Sequence, residues 1–160
     1  MPSRRVGVVP ILRFFLVALF LLLVFLQVFS FPGQFAYMAG QDPELAWLRW
    51  PLTAVAAGTL LGFQVVLLAT WKLLGLVERD AIFTTDSLRW VDLVVRATAA
   101  GGAVFAVGFV LVGIAATDPG LPLLLFLVLL GITVVELVVL VLRSLLRQAT
   151  ALRSDLEQVI

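Results

Sequence analysis

Four long stretches poor in charged residues are the feature that most limits how this chain can fold. A helix that crosses about 30 Å of hydrocarbon needs roughly 20 apolar residues. Each stretch meets that requirement, and we place the predicted spans at residues 12–31, 51–73, 94–117 and 120–143. The first span should stop at Pro32-Gly33. The predicted fold class is all-α: an integral membrane bundle of four transmembrane helices, with a cytoplasmic helical extension of the fourth helix.

Composition agrees with a membrane protein and argues against an enzyme. Apolar residues make up 62% of the chain and charged residues 13%, whereas a soluble domain has about half and about a quarter. The chain has no cysteine and no histidine, so it lacks thiolate metal ligands and the commonest general base. We find no catalytic constellation and no phosphate-binding loop, and we expect neither an enzymatic activity nor a cofactor. The net charge of +1 gives no reason to expect direct nucleic-acid binding.

Positive charge is distributed unevenly between the loops. Of the eleven lysine and arginine residues, all but Arg49 lie in the N-terminus, the middle loop and the C-terminal tail. Because such residues are retained in the cytoplasm, we predict a multi-pass protein of the inner (cytoplasmic) membrane with both termini in the cytoplasm. The apolar run after Arg4 and Arg5 is too long for a signal peptide, so we expect an uncleaved anchor.

The middle loop ends in a helix-start signal. Thr84 or Thr85 can cap a helix, and Asp86 suits its positively polarised first turn. We therefore expect a helix that begins near Asp86 and continues into the third span. This helix carries one stripe of alternating charge, formed by Asp86, Arg89, Asp92 and Arg96. We interpret the stripe as a solvated face. The alternative is a docking face for a partner.

Residues 144–160 are predicted to form an amphipathic helical tail. An apolar stripe runs from the end of the fourth span through this tail, with positions every three or four residues. The stripe consists of Leu142, Leu145, Ala149, Leu152, Leu156 and Val159. We favour a tail that packs this stripe on the middle-loop helix. The alternatives are self-association into a homo-oligomer, or a partner-docking face that includes Leu152 and Leu156.

Small residues recur on one face of spans two and three. They are Ala54, Gly58 and Gly62 in span two, and Ala97, Gly101 and Gly108 in span three. Small side chains allow helix backbones to approach closely in lipid. We favour packing within one bundle over a dimer interface.

Glu136 is the one carboxylate well inside a span. Burial in hydrocarbon costs several kcal/mol unless the group is paired or protonated. We expect Gln64 at a similar depth, and Arg96 and Lys72 at the inner boundary with side chains that reach towards it. We favour a structural role over a proton relay. That role is either an ion pair, with Arg96 as the preferred partner, or a protonated glutamate bonded to Gln64. Gln27 is expected to bond to a neighbouring helix.

Two short segments suggest a family. The middle loop contains Ile82-Phe83-Thr84 followed by Leu88-Arg89, and residues 152–160 form an acidic closing segment. Together with the four spans, they resemble the bacterial four-span membrane family called domain of unknown function 2975. Val159 departs from the hydroxyl residue usual in the family, and residues 78–81 depart from its small polar loop. The resemblance implies no activity, but members are often encoded beside a small helix-turn-helix regulator.

The function that these features favour is a non-enzymatic membrane protein that binds a cytoplasmic partner, such as a small helix-turn-helix regulator. The loops on the outer side are small, whereas the inner side carries the charged loop and the amphipathic tail. The alternative is a small oligomeric transporter or channel that uses Glu136. A membrane-embedded enzyme ranks third, because catalytic groups are missing.

Overall fold

Helices account for almost the whole of the described chain. The structure is a computed structural model that describes the backbone of residues 3–159 and the side chains of residues 7–159. The elements are α1 (Ser3–Phe25), a π-helical turn (Leu26–Ser30), α2 (Phe31–Gln41), a 3-10 helix (Pro43–Leu48), α3 (Arg49–Glu78), α4 (Thr85–Ala115) and α5 (Gly120–Val159). Four helical stretches are long and apolar enough to cross a membrane: Gly7–Gln41, Pro43–Glu78, Thr85–Ala115 and Gly120–Val159. The predicted fold class is therefore confirmed.

The prediction that the first helix stops at Pro32-Gly33 is wrong. The helix passes through the π-helical turn and continues as α2 to Gln41. Within that turn the N–H of Phe31 donates to the carbonyl of Leu26, five residues earlier. Pro32 follows in the first turn of α2. There the missing N–H and the ring of proline destabilise the helix less than they would in a regular helix interior. The wider turn thus lets the helix continue past a residue that usually ends it.

The start of α4 is as the sequence predicted. Thr84 has an extended backbone, with φ −130° and ψ 164°, and helix α4 begins at Thr85 and runs unbroken to Ala115. The Thr84 hydroxyl donates to the carbonyl of Ala81 rather than capping the helix. The buried Ser87 hydroxyl lies against the carbonyls of Ile82 and Thr84. These contacts hold the middle loop against the first turn of α4.

Packing follows the order of the chain. Helices α1 and α2 pack on α3, α3 packs on α4, and α4 packs on α5. Helices α3 and α4 approach closely at Gly62, where an added Cβ atom would lie 3.1 Å from both the carbonyl oxygen of Ala97 and the Cα of Gly101. Ala97, Gly101 and Gly108 are all buried, so the predicted small-residue face packs within this chain. Ala54 is exposed and takes no part.

Helices α4 and α5 form an antiparallel hairpin. Its short turn is held by Asp118, whose carboxylate accepts the N–H of Gly120 at 3.0 Å. Further along, a Cβ atom at Gly102 would lie 3.1 Å from the side chain of Ile132. The half-buried positions of α5 recur every three or four residues, as expected for one face of a helix, and they include Leu125, Leu129, Ile132, Glu136, Val139, Arg143 and Leu146. One seam of α5 therefore faces α4.

The contact at Gly62 leads to a prediction about stability. Gly62→Val should lower the free energy of unfolding by about 1–3 kcal/mol, the usual cost of overpacking, because the atoms it meets belong to the backbone of α4 and cannot rotate away. The midpoint of unfolding in mixed detergent, followed by circular dichroism, measures the effect.

Gly75→Val is the matched control. Gly75 lies in the same helix, and a Cβ atom there meets nothing within 4 Å. The change in helix propensity is the same at both positions. Equal midpoints for the two variants would show that the close approach of α3 and α4 does not stabilise the bundle.

Candidate functional site

A polar cluster joins the π-helical turn to α3. The Gln64 side chain is only 8% exposed, and its Nε2 donates to Oε1 of Gln27 at 2.8 Å. The Gln27 Nε2 donates in turn to the carbonyl of Ala57 at 3.2 Å. The expectation that Gln27 bonds to a neighbouring helix is confirmed. The expected bond between Gln64 and Glu136 is absent, because Gln64 faces α1 whereas Glu136 belongs to the seam with α4.

Glu136 lies at the interface of α4 and α5. The contact of Ile132 with Gly102 and the ion pair of Arg143 with Asp92 set the antiparallel register. In that register Glu136 lies level with residues 98–99 of α4. Its Oε2 atom is buried and has no hydrogen-bond partner. The expected pair with Arg96 is wrong among the described residues, because the Arg96 side chain is exposed in a groove beside Trp90 and Leu93.

Lys72 does not reach Glu136 either. It is exposed at the end of α3, and the elements that contact each other place α4 between α3 and α5. We expected the intramembrane polar residues to meet at Glu136, namely Gln64, Arg96 and Lys72. The structure brings none of the other three to Glu136, so the intramembrane polar residues do not form one site.

The carboxylate that α5 binds is Asp92. Its Oδ1 lies 2.5 Å from Nε of Arg143, and its Oδ2 lies 3.6 Å from a guanidinium nitrogen of Arg147. The Asp92 and Arg143 side chains are about a quarter exposed, so water screens this pair only in part. The bonds fix the register of the hairpin at the end away from its turn. This ion pair could have been predicted from the sequence, because Asp92 and Arg143 are almost equally distant from Asp118, the residue at the turn.

A second ion pair joins the first and second helical stretches, α1 to the end of α3. A guanidinium nitrogen of Arg13 lies 2.5 Å from Oε2 of Glu78. The same guanidinium lies over the ring of Trp71, 5.1 Å from its centroid, at a distance typical of a cation–π contact. The contacts of Arg13 and Asp92 gather four segments at one end of the bundle. These segments are α1 near Arg13, the end of α3, the start of α4 and the second half of α5.

The stripe of alternating charge on α4 therefore has two parts. Asp92 is bound by α5, as described above. Asp86, Arg89 and Arg96 are exposed, and Arg89 makes only a loose contact with Asp86, at 3.8 Å. Exposure of these three residues is compatible with a solvated face and with a docking face, so both interpretations stay predictions. They line a shallow groove together with Trp90, Asp92 and Leu93.

The tail is helical as predicted, but it is not packed on the middle-loop helix. Helix α5 continues to Val159, and every residue from 151 to 159 is exposed. The reason is geometric. In the register set by Asp92 and Arg143, the first residue of α4 lies level with about residue 150 of α5, so the rest of the tail extends past the end of its neighbour. Leu152 and Leu156 are 64% and 66% exposed.

The geometry at Glu136 gives a prediction that separates a structural from a functional carboxylate. Glu136→Leu should leave the free energy of unfolding unchanged or raise it, because a buried oxygen without a partner is replaced by an apolar group. Asp92→Leu should lower it by about 1.5–3 kcal/mol, because Arg143 loses a charged hydrogen bond. Unfolding of both variants in mixed detergent provides the comparison.

Two outcomes would contradict this view. A large loss of stability in Glu136→Leu would mean that the carboxyl group has a partner that stabilises the bundle. Proton flux into liposomes that contain the wild-type chain, lost in Glu136→Gln while the fold is retained, would identify a proton carrier and favour the transporter alternative.

Comparison with known proteins gives one match. A family described as "Protein of unknown function (DUF2975)" matches residues 33–160. No curated protein and no solved structure matches the chain. The matched range begins in α2 and includes α3, α4 and the whole of α5, so it contains the Asp92 ion pairs and the exposed tail. Because it extends over well over half of the sequence, this multi-pass, all-α membrane protein belongs to the DUF2975 family.

Proposed function

We propose that this protein is a non-enzymatic membrane protein whose cytoplasmic tail binds a protein partner. The observation that carries the proposal is the apolar stripe beyond residue 144, which is exposed on a helix. Leu145, Leu152, Leu156 and Val159 are 55%, 64%, 66% and 85% exposed. Apolar anchors at such spacing are how an amphipathic helix fits a hydrophobic groove. The partner therefore presents an apolar groove or a second amphipathic helix.

The polar faces of the tail argue for a protein rather than a membrane surface. A helix that lies on a membrane carries a polar face rich in lysine and arginine. This tail has both signs of charge, with Arg153 paired to Glu157 at 3.3 Å and Asp155 beside them. It also continues directly from a membrane-spanning helix, so it projects away from the bilayer. These features favour a water-soluble partner.

The anchoring of the tail supports the same proposal. Asp92 binds Arg143 and Arg147 at its base, so α4 restrains the direction in which the helix leaves the membrane. A restrained helix loses less conformational entropy when it binds than a disordered segment does. The family resemblance implies a small helix-turn-helix regulator, and such a regulator is the partner we propose.

This proposal requires that the tail lies in the cytoplasm of the cell, with the chain in the inner membrane. The positive residues support this orientation, and the ion pairs of Arg13 and Arg143 gather their segments at one end of the bundle. The short connections at residues 42 and 116–119 then face the outside.

The orientation can be tested with single cysteines, because the natural chain has none. Arg79→Cys and Gln158→Cys should react with a membrane-impermeant maleimide only in permeabilised cells, since both are predicted to be cytoplasmic. Gln41→Cys and Thr117→Cys should react in intact cells. All four positions are exposed on the protein surface. A reversed pattern at either pair would place the tail on the wrong side for a cytoplasmic partner.

The tail itself can be tested by photo-crosslinking in native membranes. A photoreactive amino acid at Leu156 should form an adduct with the partner, because this position is on the exposed stripe. Leu152→Asp should reduce the yield by about tenfold, the effect of losing a hot-spot residue. Mass spectrometry of the adduct identifies the bound protein.

Ser154 is the matched control, because it lies in the same exposed turn but off the stripe. The photoreactive residue there should give no such adduct, and Ser154→Asp should leave the yield at Leu156 unchanged. An adduct with a second copy of this chain would favour self-association. Equal adducts at both positions, or an unchanged yield in Leu152→Asp, would contradict recognition through the stripe.

A further inference from the structure

We propose that the groove on the first turns of α4 binds the phosphate headgroup of an anionic phospholipid. The groove is lined by Asp86, Arg89, Trp90, Asp92, Leu93 and Arg96. It is distinct from the tail stripe and does not depend on the proposed partner.

The first argument is charge. Asp92, one helical turn before Arg96, is bound by Arg143 and Arg147. Within the described residues Arg96 forms no ion pair, and its side chain is exposed. Arg89 lies 3.8 Å from Asp86, and the two side chains are 82% and 69% exposed. The charge of Asp92 is thus offset from α5, and the groove is left with two arginines, Arg89 and Arg96, against one exposed carboxylate, Asp86.

The second argument is depth. Arg96 is the last charged residue before the uncharged run from Ala97 to Thr117, which marks the boundary of the hydrocarbon. Trp90 lines the same groove, and tryptophan is enriched at the level of the headgroups. The Arg89 and Arg96 side chains thus lie where lipid phosphates are found. A soluble anion would have to compete there with the lipid of the membrane itself.

The third argument is the shape of the recognition. Arginine presents several N–H donors in a plane and can hold a phosphate through two bonds. The uncharged run that begins at Ala97, directly after Arg96, offers an apolar surface to the acyl chains of the same lipid. Basic pockets on the cytoplasmic side of membrane helices bind anionic headgroups in this way. A phospholipid satisfies both the charged and the apolar parts of the groove.

Native mass spectrometry of the detergent-solubilised full chain tests the proposal. The wild-type protein should bind phosphatidylglycerol more tightly than phosphatidylcholine of the same chain length. In the double variant Arg89→Gln and Arg96→Gln, the apparent affinity for phosphatidylglycerol should fall about thirtyfold, because each juxtamembrane arginine contributes about 1 kcal/mol. Binding of phosphatidylcholine should not change.

The control removes the same two charges elsewhere. Arg79 and Arg153 are exposed and lie outside the groove, so Arg79→Gln with Arg153→Gln should keep the affinity for phosphatidylglycerol. Equal loss in both double variants would overturn the groove, since only net charge would then matter. Equal affinity for the two lipids, or displacement of the lipid by millimolar inorganic phosphate, would overturn the assignment of a lipid headgroup. Helical content by circular dichroism verifies that every variant is folded.

Discussion

The close approach of α3 and α4 at Gly62 and Gly101 is the contact on which the rest of the bundle depends. Helices in lipid gain little from hydrophobic burial, because the acyl chains are as apolar as the side chains, so direct packing has to hold them together. Helix α4 then binds α5 along its other face, and α3 binds the α1–α2 stretch through Gln64. The two central helices support the end of the bundle that carries the groove and the base of the tail.

The register of the α4–α5 hairpin follows from the short turn at Asp118 and has two consequences. It brings Asp92 to Arg143 and Arg147, which takes the nearest carboxylate away from Arg96. It also ends α4 before α5 ends, which exposes the tail. The proposed lipid groove and the proposed partner surface therefore both depend on the register of this hairpin, and the tail depends in addition on the greater length of α5.

The features that could be predicted from the sequence are those that depend on hydropathy and on local helix-start signals. Hydropathy located the four helices, and the threonines before Asp86 located the start of α4, because both signals are local. Pairings between helices were predicted less well. To predict the partners of Glu136, one must know how each helix is rotated about its own axis. The depth of a residue in the membrane does not give that rotation, so the expected bonds to Gln64 and Arg96 were wrong. Counting residues outward from Asp118 would have matched Asp92 with Arg143. The continuation of the first helix past Pro32 could not be predicted. Proline is a recognisable signal for the end of a helix, whereas no residue pattern marks a π-helical turn.

Exposed apolar residues have different surroundings in the two halves of α5. The helix has 40 residues, so it is about 60 Å long, roughly twice the thickness of the hydrocarbon core. Leucines in its first half, such as Leu127 at 65% exposed, contact lipid and need no further partner. Leu156 is exposed to the same degree, but it lies beyond Arg143, where the surroundings are water. The same exposed area that lipid satisfies in the membrane is unfavourable in water, and this difference is the physical basis for proposing a protein partner for the tail.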